Sequence, residues 1–202
     1  MKTYPSISTM IQMGLPIYGF DKIDGSNIRA EWSKKKGFHK FGSRKRLLGE
    51  DQPLLMKAQG LILEQQDIVA KICEKNRWES IIMFYEFAGQ NSSFGNHIET
   101  DDHKVWLIDA NPYKRGILPP REFIDHFGSL NTAPLLYQGN CNNTLLESVK
   151  DGTLEGMGPE GIVCKTKGKG NTILMFKIKR EDWYLRLREH CNGDDTLFDA
   201  LK

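Results

Sequence analysis

The chain has 202 residues, long enough for one domain with its own hydrophobic core and no disulfide staples. It is 39% hydrophobic and 27% charged, with a net charge of only +2. This is the composition of an ordinary soluble globular protein rather than of a disordered or fibrous one, and the charge by itself does not call for a nucleic-acid partner. The first residues, Met1-Lys2-Thr3-Tyr4-Pro5, lack the apolar run of a signal peptide, and clusters such as Ile81-Ile82-Met83-Phe84-Tyr85 are strand-sized. A cytoplasmic location (host cytoplasm, if viral) without a membrane partner is therefore expected.

In chain order, Tyr18 to Ile23 reads as a short strand running into the Asp24-Gly25 turn. Asn27 to Ser33 and Gly37 to Phe41 read as the next two, making a β-meander. From Pro53 the period changes: Leu54, Leu55, Ala58, Leu61, Ile62, Ile68, Val69, Ile72 and Cys73 recur at helical spacing, with Asp51 as a candidate N-cap. Glu79 to Phe87 and Lys104 to Asp109 read as buried strands. Short helices are expected over Arg121 to Phe127, ending at Gly128, and over Asn143 to Lys150. Ile162 to Thr166 and Thr172 to Lys179 pair as a hairpin across Gly168-Lys169-Gly170-Asn171, and Glu181 to His190 closes the chain as a helix. Strands and helices that mix without strict alternation predict an α+β domain of antiparallel sheets flanked by helices.

The four cysteines, Cys73, Cys141, Cys164 and Cys191, are far apart, and the five histidines fall in no ligand spacing, so neither a zinc site nor a disulfide framework is expected. The charge is unevenly spread. Lys22, Arg29, Lys34, Lys35, Lys36, Lys40, Arg44, Lys45 and Arg46 form one basic block, and Lys165, Lys167, Lys169, Lys177, Lys179 and Arg180 another, while Glu99, Asp101, Asp102, Asp194 and Asp195 gather the acids elsewhere. Such blocks serve as solvated faces or as sites for polyphosphate and nucleic acid.

Five segments carry chemistry-bearing residues. Lys22-Ile23-Asp24-Gly25-Ser26-Asn27 sets a lysine before a tight turn. Phe84-Tyr85-Glu86-Phe87-Ala88-Gly89 is an aromatic strand with one glutamate, and Val105-Trp106-Leu107-Ile108-Asp109 a strand ending in aspartate. Glu160-Gly161-Ile162-Val163-Cys164-Lys165 and Phe176-Lys177-Ile178-Lys179 follow. Taken singly, each has a bland reading as a hairpin corner, core strand or wet strand face. In this order they resemble the motifs of the covalent nucleotidyltransferases, the superfamily of DNA ligases, RNA ligases and mRNA-capping enzymes. Asn27, five residues after the lysine, and the Ser43-Arg44 segment downstream are similar to the RNA ligases that seal nicked or bridged RNA.

That resemblance implies a nucleotidyltransferase domain, the ATP-grasp-like catalytic domain of ligases. It implies that Lys22 attacks ATP to form lysyl-AMP, that AMP passes to an RNA 5′-phosphate, and that an RNA 3′-hydroxyl displaces it. Lys177 and Lys179 are then the catalytic cations, expected together with a bound metal to favour the neutral form of Lys22 and, with Lys165 and Mg²⁺, to stabilise phosphate charge. Asp24, Gly25, Asn27, Arg44, Glu86, Trp106, Glu160 and Lys165 bind the nucleotide, with Trp106 stacked on adenine. Glu86 and Glu160 are the carboxylates for Mg²⁺ (or Mn²⁺), which takes one or two and keeps several waters. Lys34, Lys35, Lys36, Arg44, Lys45 and Arg46 contact RNA. Two alternatives stand beside this: a DNA ligase or capping-type guanylyltransferase, and a non-catalytic module that binds RNA ends. After Lys179 only 23 residues remain, so a single domain over 1–202 is expected. No C-terminal OB-fold or helical accessory domain is expected within it, and an accessory protein or domain would assist RNA binding.

Overall fold

The structure is a computed structural model that describes residues 1–49, 53–90, 102–170 and 172–202. Asp51, Glu99, Asp101 and Asn171 of the sequence reading lie outside the described residues. The elements are β1 (Pro16–Asp21), β2 (Ser26–Ser33), β3 (Gly37–Ser43), α1 (Pro53–Leu63), α2 (Gln66–Lys75), β4 (Ser80–Ala88), β5 (Lys104–Pro112), α3 (Pro120–Phe127), β6 (Leu135–Asn140), α4 (Asn143–Lys150), β7 (Gly161–Lys167), β8 (Ile173–Lys179), α5 (Glu181–Cys191) and α6 (Asp195–Leu201). They build two four-stranded antiparallel sheets, β6-β1-β7-β8 (sheet I) and β3-β2-β4-β5 (sheet II). The α+β architecture expected from the sequence is the one observed.

The predicted meander is not. β1 belongs to sheet I, whereas β2 and β3 belong to sheet II, so residues 22–25 carry the chain from one sheet to the other. The crossing is tight. A Cβ on Gly25 would collide with the Phe87 carbonyl of β4, so only glycine lets the backbone pass there. The continuous helical periodicity after Pro53 also resolves into two helices. They break at Glu64–Gln65, where Gln65 and its neighbour Gln66 turn inward to bond sheet II. Tyr85 donates its hydroxyl to Gln65 at 3.2 Å, and Gln66 accepts from the Phe38 amide at 3.1 Å.

Each sheet buries one face under helices. Against sheet II, Ala58, Ile62, Val69 and Cys73 of α1 and α2 meet Ile28, Ala30, Met83, Tyr85 and Phe87, and Phe123 and Phe127 of α3 join the same core. Val149 and Leu145 of α4 cover Ile17, Ile162, Cys164, Phe176 and Ile178 of sheet I. Burial of each Val, Leu, Ile, Phe or Met among these contributes roughly 1.5–3 kcal/mol. Asn142 caps α4 by accepting from Leu145 N at 2.9 Å, and Asp194 caps α6 in the same way from Leu197 N at 2.9 Å. The strand β6 and the helix α6 escaped the sequence reading: β6 alternates weakly, with exposed Leu135, and α6 has only seven residues. No helix among the described residues is long and apolar enough to cross a membrane.

Candidate functional site

A cleft of about 200 Å³ opens between the two sheets. Sheet I lines it with Phe20, Asp21, Val163, Lys165 and Lys177, sheet II with Asn27, Glu86 and Ile108, and the crossing segment with Lys22 and Ile23. Lys22 is therefore placed by topology: it is the first residue after β1, at the point where the chain leaves sheet I.

Strand register explains what surrounds it. Asp21 pairs with Ile162 and Gly161 with Lys179, which sets Lys22 opposite the start of β7 and Lys179 opposite the same point. The Lys22 amide bonds Gly161 O at 2.9 Å. Its Nζ lies 2.7 Å from Glu160 Oε2, and Lys179 Nζ lies 2.8 Å from Glu160 Oε1. Glu160 thus bridges the two lysines. Gly161 has φ +132°, and a Cβ there would strike the Ile178 carbonyl, so glycine is what lets β7 begin so close to β8. Lys179 also sits 3.3 Å from the centroid of the Trp183 ring of α5, a cation–π contact that the helical reading of this segment did not reveal. Glu86 enters from sheet II, paired in register with Asn27, whose amide donates to Tyr85 O at 3.3 Å.

These neighbours set the protonation states. Burial opposes the charged form of Lys22, but Glu160, Glu86 and Asp24 outweigh it and raise its pKa. Carboxylates rather than Lys177 and Lys179 thus act most strongly on Lys22 here, and the neutral form expected from those cations together with a bound metal is not the resting one. The flanking lysines shift the other way. Burial brings Lys179 down to about 8 against the pull of Glu160, and burial, Lys22 and Arg44 lower Lys177. Glu86 is raised to about 7, first by burial and then by Glu160 and Asp24, with Lys22 and Asn27 opposing.

A second ion pair closes the deeper end of the cleft. Lys165 of β7 reaches Asp109 of β5 at 2.8 Å, and their side chains are 4% and 1% exposed. Its ammonium also donates to Ile108 O at 2.6 Å and lies 4.8 Å from the Phe20 ring centroid. Lys165 lines the cleft as anticipated, but its charge is already committed across the two sheets.

Other predicted residues are distributed unevenly. Arg44 lines the cleft, 3.4 Å from Ser6 Oγ, and Lys45 and Arg46 are exposed just beyond it. Asp24 and Gly25 form the crossing itself. Lys34, Lys35 and Lys36 are exposed at the opposite end of β2, whose eight residues span roughly 25 Å. Trp106, in register with Glu86, is half-buried and does not line the cleft, whereas Ile108, two residues on, does. Ile108 and Val163 are apolar walls facing the cleft from the two sheets, with Phe20 beside Val163 on sheet I. Tyr4, Pro5, Ser6 and Ile7 also line the cleft, and no sequence signal pointed to them, since this segment has neither strand nor helix periodicity. Among the described residues no group of three or more His, Cys, Asp or Glu converges as a metal cage.

The sequence profile of the family described as RNA ligase matches residues 16–179. The chain belongs to the RNA ligase family. The family resemblance read from the motifs is thereby borne out. No curated protein matches the chain by sequence. Among solved structures, RNA ligase from Naegleria gruberi is similar in several forms. A mutant with ATP and Mn superposes with a TM-score of 0.63 at 15% identity, covering 92% of this chain and 58% of that one. A mutant with AMP and Mn gives 0.60 at 15% identity over 91% and 57%, and the form with pyrophosphate 0.60 at 16% over 88% and 53%. The likeness establishes the fold, and the chain spans little more than half the length of these relatives. Within this RNA ligase-family chain, residues 1–15 and helices α5 and α6 lie outside the matched region.

Proposed function

We propose that this chain is the nucleotidyl-transfer domain of an ATP-dependent RNA ligase that joins RNA 3′-hydroxyl and 5′-phosphate ends through lysyl-AMP at Lys22. The observation that carries the reading is the Lys22–Glu160–Lys179 chain at the rim of the cleft, at 2.7 and 2.8 Å, with Glu86 facing it from the other sheet. The ATP, AMP and pyrophosphate in the Naegleria structures support the same choice of nucleotide.

Lys22 rests as an ammonium, so attack requires that it lose a proton, and Glu160, already hydrogen-bonded to Nζ, is the adjacent acceptor. The N–P bond to the α-phosphorus then forms as the P–O bond to pyrophosphate breaks. Lys177 and Arg44, which line the cleft with Lys22, meet the phosphate charge. Ile108 and Val163 enclose the base by apolar contact, taking the part expected of Trp106. Asn27 Oδ1, buried without a hydrogen-bond partner among the described residues, is an acceptor for a ribose hydroxyl. AMP passes next to an RNA 5′-phosphate, and the RNA 3′-hydroxyl finally displaces it to form the phosphodiester. Exposed Lys45 and Arg46 beside the cleft offer phosphate contacts, and Lys34 to Lys36 a more distant set.

The carboxylates suit a magnesium or manganese ion. Glu86 and Glu160 are hard oxygen donors, and burial together with the neighbouring Glu160 charge raises the cost of ionising Glu86, a situation a bound cation relieves. Held there, the ion would supply positive charge to the phosphates and draw carboxylate charge away from Lys22.

The deciding experiment is incubation with α-labelled ATP and Mg²⁺ followed by a denaturing gel. Label stays on the protein and is absent from Lys22→Ala and from Lys22→Arg, whose guanidinium does not deprotonate. A Lys22→Ala protein that still carries AMP overturns the assignment. Labelled GTP and nicked DNA, run in parallel, test the capping-type and DNA-ligase alternatives.

A further inference from the structure

Residues 1–15 precede the region matched by the family, yet Tyr4, Pro5, Ser6 and Ile7 line the cleft. The segment is anchored at three places. Arg29, a buried guanidinium on β2, donates to the carbonyls of Met1 at 3.2 Å and Lys2 at 3.1 Å. Tyr4 lays its ring 5.0 Å from that of Phe84 and donates its hydroxyl to Asp109 Oδ2. Ser8 then pairs in parallel with the edge of β8, its amide donating to Met175 O at 3.3 Å and its carbonyl accepting from Lys177 N at 2.9 Å. Arg29, Phe84 and Asp109 belong to sheet II and β8 to sheet I, so the segment crosses the cleft from one sheet to the other.

The Tyr4 contact is more than cover for an apolar surface. Asp109 is 1% exposed and holds two partners, the Tyr4 hydroxyl and Lys165 Nζ. Lys165 in turn donates to the carbonyl of Ile108 at 2.6 Å. A hydrogen-bonded chain therefore runs from Tyr4 through Asp109 and Lys165 to Ile108, and the first, third and fourth members all face the cleft. Burial and the Asp109 charge push the Tyr4 hydroxyl well above its usual pKa, which keeps it a donor. Without that donor, the buried carboxylate keeps a single side-chain partner among the described residues, and the Lys165 ammonium is less firmly directed.

We propose that residues 4–8 are a strap belonging to the nucleotide site, with Tyr4 the positioning residue that fixes Asp109, and through it Lys165 and the Ile108 wall, against the bound base. The proposal rests on the nucleotide reading above. It assigns a role in binding AMP, not in the transfer chemistry, to a segment outside the matched family region.

The test uses the full chain and Tyr4→Phe, which keeps the ring on Phe84 and loses only the hydroxyl. Calorimetry with AMP reads binding without any covalent step. The dissociation constant is expected to rise about tenfold, the effect of losing one hydrogen bond to a charged acceptor. The ATP concentration for half-maximal lysyl-AMP formation rises in parallel, while the rate at saturating ATP stays within about twofold and the thermal midpoint within about 5 °C. Ser8→Pro, which lacks the amide donated to Met175, shifts AMP affinity in the same direction by loosening the other end of the strap. Unchanged AMP affinity in both variants overturns the proposal, and so does a reduced saturating rate with unchanged affinity. If the unmodified chain binds AMP but forms no lysyl-AMP, the transfer reading fails while the calorimetry still decides on the strap. An unmodified chain that binds no AMP removes both.

Discussion

The two sheets meet through two clusters of charge that are balanced in opposite ways. At the deep end Lys165 and Asp109 stand one to one, 2.8 Å apart, with a tyrosine hydroxyl completing the carboxylate's partners. At the rim, Lys22 faces Glu160 and Glu86 together, and Lys179 shares Glu160. The deep pair ties β7 to β5. The rim cluster carries raised and lowered pKa values on adjacent groups, which is how a fold keeps protons and charge available for exchange. The two clusters thus differ here less in residue type than in sharing: Asp109 pairs with one lysine, whereas Glu160 serves both Lys22 and Lys179.

The largest effect is expected from breaking the deep pair. Lys165→Met leaves Asp109 buried without its counter-charge, a change that costs about 3–5 kcal/mol. A fall of roughly 10 °C in the thermal midpoint, or the matching loss in urea denaturation, checks it. Lys22→Ala leaves Glu160 its bond to Lys179, so its stability loss is expected to be well below that of Lys165→Met. Equal losses from the two substitutions would erase the distinction between the clusters.

The rim cluster is sharpened by pH. Glu86 titrates at about 7 in the folded chain against an ordinary 4.5, so between those values the native state holds a proton that the unfolded chain has released. Its contribution to stability is complete below about 4.5 and is lost as pH rises through about 7. Urea denaturation in EDTA at several values between pH 5 and 7.5 should show this decline, and Glu86→Gln should flatten it. A decline of the same slope in Glu86→Gln would assign the proton to another group.

The smallest effect separates two neighbours on β5. Ile108 lines the cleft and Trp106 does not. Ile108→Ala is expected to raise the ATP concentration for half-maximal lysyl-AMP formation about tenfold or more, in keeping with about 1–3 kcal/mol for a missing apolar contact. Trp106→Ala should leave it within about twofold. The reverse order would return the base platform to Trp106.

Much of the site was legible because its chemistry restricts residue type. Lys22 before Asp24-Gly25, Glu160 before Gly161, and the alternating Lys177 and Lys179 carry their meaning in local spacing, and strand alternation alone puts the last two on one face. Local patterns also located most strands and the helices α3, α4 and α5 within a few residues. Periodicity gives the face a residue occupies but not the element it meets. The sequence therefore could not show that β1 and β2 part into separate sheets, that Glu160 would be nearest to Lys22, or that Ile108 rather than Trp106 would line the cleft. Nor could it place Tyr4 beside Asp109, 105 positions away, since that contact exists only once both sheets are formed and facing each other. Residue chemistry, written locally, determined the kind of site; which charges compensate which was decided by packing, because Coulomb and hydrogen-bond energies depend on separation in space and not along the chain.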